Sequence, residues 1–574
     1  MKQNRREALT ALLGGMAGAA CRAEAPRIQP MKEIPAASRV TAAEEHGWYL
    51  SVAGIAEAKG NLIVTYRRSD AHRASDSYIM TARSEDGGRT WKDHRPIHHL
   101  SWENNRACWV APQLTALRDG RLVLVADRGE KLNKDDWPML SRWQQKPLGM
   151  SNHLFWSHDG GQSWDGPHQI DDWGGEPGYI LELADGTLVY TRTEAQRTEK
   201  LLNPLPQWGE FYYRNTAVFS DDGGKTWKRT AVVADDPYYS DCEVGLAEYA
   251  PGKLLAATRC GDAGSQFGQP SRLVYSSDSG RTWGKPKLAP FYGHRVIVGK
   301  LQSGKLLAVF RNAWGTSASY AFVFDAEENF DYQPNSWIWD EARCRLRDGA
   351  MELDTADGPR GAAEFTLYPC ESLRSPVEIE AELAVGEGGA EACQISAGCW
   401  VRFRPDRVEL ADRPEQGFAM DATRFHRYRL VREGGKLTIL ADGETKLEAP
   451  AEGIAVRHVR FGNRYSARGP GAGRERTNGG KSWWRALSAR VRNPNDHAIE
   501  WSWRAARGFP DQFRRDRLVL LERNGSFSHG NNGYPDWIQQ GDGTILVADY
   551  TSCEPPRERP VLRVYRVTEE EVRA

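Results

Sequence analysis

The sequence predicts an all-β chain: a six-bladed β-propeller that carries an inserted β-sandwich (jelly-roll) module. Three observations predict it. An octapeptide recurs four times, a turn glycine ahead of an apolar run recurs six times, and a stretch of different composition separates the fifth unit from the sixth.

The octapeptide reads SEDGGRTW at 84, SHDGGQSW at 157, SDDGGKTW at 220 and SSDSGRTW at 276, each after a short β-rich run such as YIMTARS or NHLFWS. Upstream of each lies KGNLIVTYR at 59, DGRLVLVADR at 119, DGTLVYTR at 185 or PGKLLAATR at 251. In this pattern a turn glycine precedes an apolar run of strand length, as in a hairpin. SGKLLAVFR at 303 and DGTILVADY at 542 continue it without the octapeptide. Six units of about four strands each, at this period, point to a propeller.

The repeated S-x-D-x-G-x-T-W resembles the Asp box of the sialidase superfamily, whose propellers have six blades. The resemblance implies a structural role for the box. It is a turn between the outer strands of a blade, with Asp bonding the loop backbone and Trp packing beneath.

Blades one to five are expected over 40–340 and blade six, after a connecting segment, over 498–574. Between them FHRYRLVREGGKLTILADGE alternates apolar and polar residues around Gly434-Gly435, a hairpin signature. The stretch 341–497 resembles a concanavalin-like (laminin G-type) β-sandwich, and is read as inserted between blades five and six. Such modules serve sugar binding or structure alike, because a fold does not give a function. Cys344, Cys370, Cys393 and Cys399 fall there; a disulfide is open, and its pairing is not readable from the sequence.

Lys and Arg (76) nearly balance Asp and Glu (77) over 574 residues, so no global field recruits nucleic acid or a membrane. The cysteine spacings match no zinc pattern, so no metal site is expected, and no cofactor is. The N-terminus pairs Arg5-Arg6 with an apolar run from Ala8 to Ala20 and an Ala-x-Ala site at Ala23–Ala25. Residues 1–25 resemble a twin-arginine export signal, too short for a membrane span, which implies a periplasmic or extracellular protein. Cys21, after Gly18-Ala19-Ala20, forms a loose lipobox, the minority alternative of a lipid anchor.

Equivalent offsets in a propeller place side chains at equivalent heights around the axis. Seven residues after the turn glycines come Arg67, Asp127, Thr193, Arg259, Arg311 and Tyr550, with Arg128 and Arg192 one step off. Five blades thus set an arginine at or within one step of one strand end. A converging cationic ring is the reading, against solvated rim arginines, and it would receive carboxylate or sulfate. Nine residues before the glycines lie Ser51, Ala111, Pro177, Glu243, Arg295 and Tyr534, on the strand facing the pore.

The resemblance implies a mechanism for these positions. Sialidases are retaining glycosidases with a Tyr nucleophile. A neutral phenol approaches an anionic sugar without repulsion and needs a base. GYPDWIQQGDG resembles the nucleophile strand, which gives Tyr534; DCEVGLAEYAPGKLLAATR resembles the strand pair carrying the helper Glu243 and a substrate-binding Arg259. Arg311 is the further carboxylate ligand expected. The acid/base Asp sits on a loop of blade one, here RRSDAHRASDSYIM, where spacing favours Asp76, then Asp70, and where His72 could also transfer protons. Sialidases begin blade one with Tyr-Arg-Ile-Pro, whereas this chain has WYLSV, with Leu50 at the clamp arginine's place. Arg67, Arg68 or Arg295 would substitute, or the substrate is not ordinary sialic acid.

These readings lead to an exported exo-glycosidase that cleaves a terminal anionic sugar from a glycan, with Asp76, Tyr534 and Glu243 catalytic. A uronate polysaccharide lyase, with Tyr534 and His72 or His294 moving protons, is one alternative. A non-catalytic glycan-binding protein is the other.

Overall fold

A computed structural model describes residues 24–135, 149–172, 174–198, 211–260, 269–312, 315–338, 340–355, 363–367, 375–386, 393–451, 459–463, 480–492, 498–525, 531–553 and 557–574. The twin-arginine segment, Cys21 and Cys370 lie outside these residues. Six antiparallel-stranded sheets follow one another round a ring. Blade one is Tyr49–Ala58, Asn61–Ser69, Asp76–Ser84 and Lys92–Ser101, hydrogen-bonded in that order. The six turn glycines join first to second strands at positive φ, for example 77° at Gly60 and 90° at Gly543, where a side chain would strain the backbone.

In blades one to four the octapeptide is the turn from third to fourth strand. Asp86 Oδ1 accepts from Arg89 N (3.0 Å) and Thr90 N (2.9 Å), Ser84 Oγ accepts from Gly88 N (2.9 Å), and Trp91 Nε1 donates to Gly88 O (3.2 Å). The same bonds recur around Asp222 and Asp278. Blades five and six explain why the repeat stops. Blade six takes its fourth strand, Arg39–Ala43, from the far end of the chain, paired antiparallel with Val561–Val567, so it has no third-to-fourth turn. In blade five the third strand is Ala318–Phe324 and the fourth is Leu518–Arg523.

The intervening segment therefore interrupts blade five at the place of its Asp box, rather than lying between blades five and six. Residues 518–523 belong to blade five, not to the connection before blade six. The apolar run LVLLER completes that sheet, and Lys32–Glu33 adds a parallel strand beyond it. Just ahead of the returning strand, Arg514 Nη2 and Arg515 Nη2 pair with Glu341 at 3.0 and 2.8 Å, all three buried, with Asp511 between the arginines. This cluster ties the start of the interruption to its end.

Within the interruption, the described residues between 335 and 504 form a seven-stranded and an eight-stranded sheet around one apolar core that includes Phe365, Phe403, Tyr428, Phe461 and Trp484. Gly434-Gly435 joins His426–Glu433 to Lys436–Ala441 as a hairpin. Cys344, Cys393 and Cys399 are buried free thiols. Among the described residues no helix is long and apolar enough to cross a membrane.

Candidate active site

The site begins with backbone strain. Five non-glycine residues next to the axis hold positive φ: Val52 (51°), Glu176 (49°), Glu243 (41°), Arg295 (52°) and Tyr534 (71°). They stand on blades one, three, four, five and six at nearly one register. At Val52, Glu243 and Arg295 the first strand is bulged against the second. A bulge re-aims a side chain, and such outliers persist only where neighbours hold them. The holds are visible. Asp127 Oδ2 accepts from Glu176 N (2.8 Å), Thr193 Oγ1 from Glu243 N (3.1 Å), and Tyr534 O from Ala53 N (3.3 Å). Asp127 and Thr193, in the arginine register on blades two and three, thus latch the neighbouring blade instead of meeting a ligand.

Four of them, Val52, Glu176, Glu243 and Tyr534, line a small axial pocket together with Tyr550, Arg67, His72, Val110 and Ala111. Arg259 Nη1 contacts Glu243 Oε2 and donates to Tyr534 Oη at 3.1 Å. His294 Nε2 stands 3.4 Å from Tyr534 Oη and 3.7 Å from Glu243 Oε2. Arg311 Nη2 reaches His294 Nε2 (2.7 Å) while its Nη1 donates to Asn532 O (2.7 Å). The guanidiniums of Arg295 and Arg311 lie 5.4 and 5.5 Å from the Tyr534 ring centre. Arg295 Nη2 donates to Pro177 O (2.5 Å), and its buried Nη1 has no partner among the described residues. Arg67 donates to Ser51 Oγ (3.0 Å) and to His72 O (3.2 Å).

Burial pushes the Tyr534 phenol well above its ordinary pKa, and the Glu243 charge pushes it further, against Arg259 and Arg311. Burial also acts to raise Glu243, yet Arg259, Arg295 and a hydrogen bond from Tyr534 outweigh it and hold the carboxyl below its usual range. The resting pair is a neutral phenol beside a carboxylate. Burial, with Arg67 and Arg311 next, drives His72 down to about 3, so its imidazole is neutral.

The structure brings together Tyr534, Glu243, Arg259, Arg295, Arg311, Arg67, His72 and His294. It places three expected residues elsewhere. Asp76 Oδ1 lies 2.6 Å from His99 Nε2 on the outer strand and does not line the pocket. Asp70 accepts from Ser75 N (2.9 Å) and Asp76 N (3.2 Å), which folds its own loop. Arg68 lies over Trp48 (4.1 Å) and pairs with Glu45 (3.2 Å). Successive strand residues face opposite sides, so a residue one step from Arg67 points away from the axis. Arg128 and Arg192, also one step off, pair with Glu130 and Glu194. Leu50 is fully buried in the core between blades one and six.

Sequence reasoning missed Glu176. The strand register named its neighbour Pro177, and the strained backbone at 176 shifts the axial position by one. Val52 displaces Ser51 in the same way. Among the described residues, Glu176, Cys242 and Glu243 form the one group that sets three ligand-type atoms within 4.8 Å of one another. Arg259 already occupies the Glu243 carboxylate of this group.

The chain matches the BNR repeat-like domain family over residues 38–179 and 137–317. No curated protein matches it. Among solved structures it is similar to a protein of unknown function from Dyadobacter fermentans (19% identity, 59% of this chain and 97% of that one, TM-score 0.41). It is also similar to Trypanosoma rangeli sialidase in complex with the inhibitor DANA (11%, 81% and 96%, 0.37). A point mutant of NanB sialidase from Streptococcus pneumoniae is a third (13%, 59% and 67%, 0.37).

Proposed function

We propose that this chain, a BNR-repeat propeller of the sialidase superfamily, is an exported exo-acting glycoside hydrolase that removes a terminal acidic sugar with retention. The observation that carries the reading is the contact of one guanidinium, Arg259, with both Glu243 and Tyr534 at the floor of an axial pocket. Tyr534 attacks the anomeric carbon and its proton passes to Glu243, which the arginines keep ionised. The phenol, neutral at rest, lets an acidic sugar approach without repulsion. Arg67 lines the pocket, and Arg259, Arg295 and Arg311 stand against Tyr534 behind it, which gives the site positive charge for an acidic group. Arg5-Arg6 with the apolar run behind them support export.

His294 Nε2, 3.4 Å from the phenol oxygen, supports a second reading, a uronate lyase in which His294 and Tyr534 move protons. Mass spectrometry of products from sialylated and uronate-containing glycans tests both. Free acidic sugar supports the hydrolase, and an unsaturated product the lyase. No turnover of any glycan would leave a binding protein and end both.

A further inference from the structure

We infer that Glu176 is the acid/base of the site: its carboxyl protonates the glycosidic oxygen, and its carboxylate then activates the water. The inference rests on the hydrolase reading above and adds the residue that this reading lacks.

The observations are positional. Among the described residues, the acidic side chains that line the pocket are Glu176 and Glu243. Glu243 is committed to Tyr534 through Arg259. Asp76, the residue favoured by spacing, lies against His99 instead. His72 holds a neutral imidazole with little tendency to carry a proton, so it makes a poor acid. Glu176 lies on blade three and Tyr534 on blade six. The six sheets succeed one another round the ring, with blade two packed on three and five on six, so these two blades stand across the axis from each other. Their side chains nonetheless converge on one pocket, so a sugar there meets both the phenol and the Glu176 carboxyl. The positive φ at Glu176, fixed by Asp127 on its amide, is a device for aiming this side chain.

The proximity of two carboxyls supports a division of labour. Oxygens of Glu176 and Glu243 come within 4.8 Å of each other in buried surroundings. Like charges so close oppose double ionisation, which favours a proton on one carboxyl of the pair, and Arg259 and Arg295 hold Glu243 in its ionised form. In the first step the Glu176 proton goes to the leaving oxygen as the anomeric C–O bond breaks. Tyr534 forms the new bond, and its proton goes to Glu243. In the second step Glu176 takes a proton from water, whose oxygen displaces Tyr534. The phenol recovers its proton from Glu243.

The test compares two glycosides of one acidic sugar, a 4-methylumbelliferyl glycoside and an oligosaccharide, with wild type, Glu176→Gln and Asp76→Asn. If wild type hydrolyses neither, the hydrolase reading falls and this inference with it. If wild type is active, Glu176→Gln should lose about 100-fold or more in kcat/KM on the oligosaccharide and less than about 10-fold on the aryl glycoside, whose leaving group needs no proton. Added azide should accelerate Glu176→Gln turnover of the aryl substrate and yield a glycosyl azide of retained configuration, which mere structural damage would not produce. Equal losses on both substrates, no azide product, or the leaving-group split in Asp76→Asn in place of Glu176→Gln would overturn the assignment and leave the Tyr534–Glu243 couple standing.

Discussion

Tyr534 and Glu243 share a single donor, Nη1 of Arg259, although they come from blades six and four and lie far apart in sequence. Removing either partner alters the other's surroundings, so the two should behave as one unit. Glu243→Gln should lower turnover by roughly the same factor as loss of the phenol, and the double variant should be little worse than either single one. A cycle of kcat/KM values on an acidic-sugar aryl glycoside checks this. Additive losses would mean that the two act independently.

Arg311 stands over the Tyr534 ring, whereas Arg68 lies over Trp48. Arg311→Met should raise KM for an acidic sugar by about 30- to 150-fold, the equivalent of roughly 2–3 kcal/mol for a desolvated charge pair. Arg68→Met, with its guanidinium over Trp48 outside the pocket, should stay within about two-fold. Michaelis constants for the two variants decide the point, and similar effects from both would dissolve the axial cluster as the acid-binding element.

The six-bladed plan was legible because hairpin glycines and Asp boxes are local signals with a fixed backbone geometry. The place of the interruption was not. A strand that completes a sheet from nearly 200 residues away reads only as an apolar run, which is how LVLLER escaped assignment to blade five. At the site, the register found Glu243, Arg295 and Tyr534 because their spacing from the turn glycine is regular. It missed Glu176 because a positive-φ residue changes facing by one step, and nothing in the residue types announces it. Asp76 came from the loop spacing that the resemblance implies, and the structure sets it against His99 instead.

Burial raises the carboxyl of Asp536, two residues from Tyr534, to about 7. Its folded-state pKa lies above the unfolded value near 4, so its contribution to stability is full below about pH 4 and is lost as pH rises through about 7. Asp536→Asn removes the titration. Relative to wild type, this variant should gain stability on going from pH 4 to pH 8, by at most roughly 2–4 kcal/mol. Thermal melts at the two pH values measure the difference. An unchanged difference in Tm would mean that Asp536 is ionised throughout.

The junction of the interruption rests on Glu341 between Arg514 and Arg515. Glu341→Gln leaves buried guanidinium charge short of a partner and should destabilise the protein by about 3–5 kcal/mol. Denaturant unfolding measures it. A loss below about 1 kcal/mol would show that Asp511 alone satisfies both arginines.

Export of the precursor is checked by changing Arg5 and Arg6 to Lys in a bacterial host. The precursor should then remain in the cytoplasm. A normal periplasmic yield from the double variant would remove the twin-arginine reading.

Whether the Tyr534 phenol is the nucleophile is decided by the turnover of Tyr534→Phe on a substrate confirmed with wild type. The substitution removes one oxygen, leaves the pocket walls in place and should keep ligand affinity. With the phenol as nucleophile, kcat should fall by several orders of magnitude with little change in binding, because only the transition state uses the phenolate. Near-normal turnover by Tyr534→Phe would contradict it.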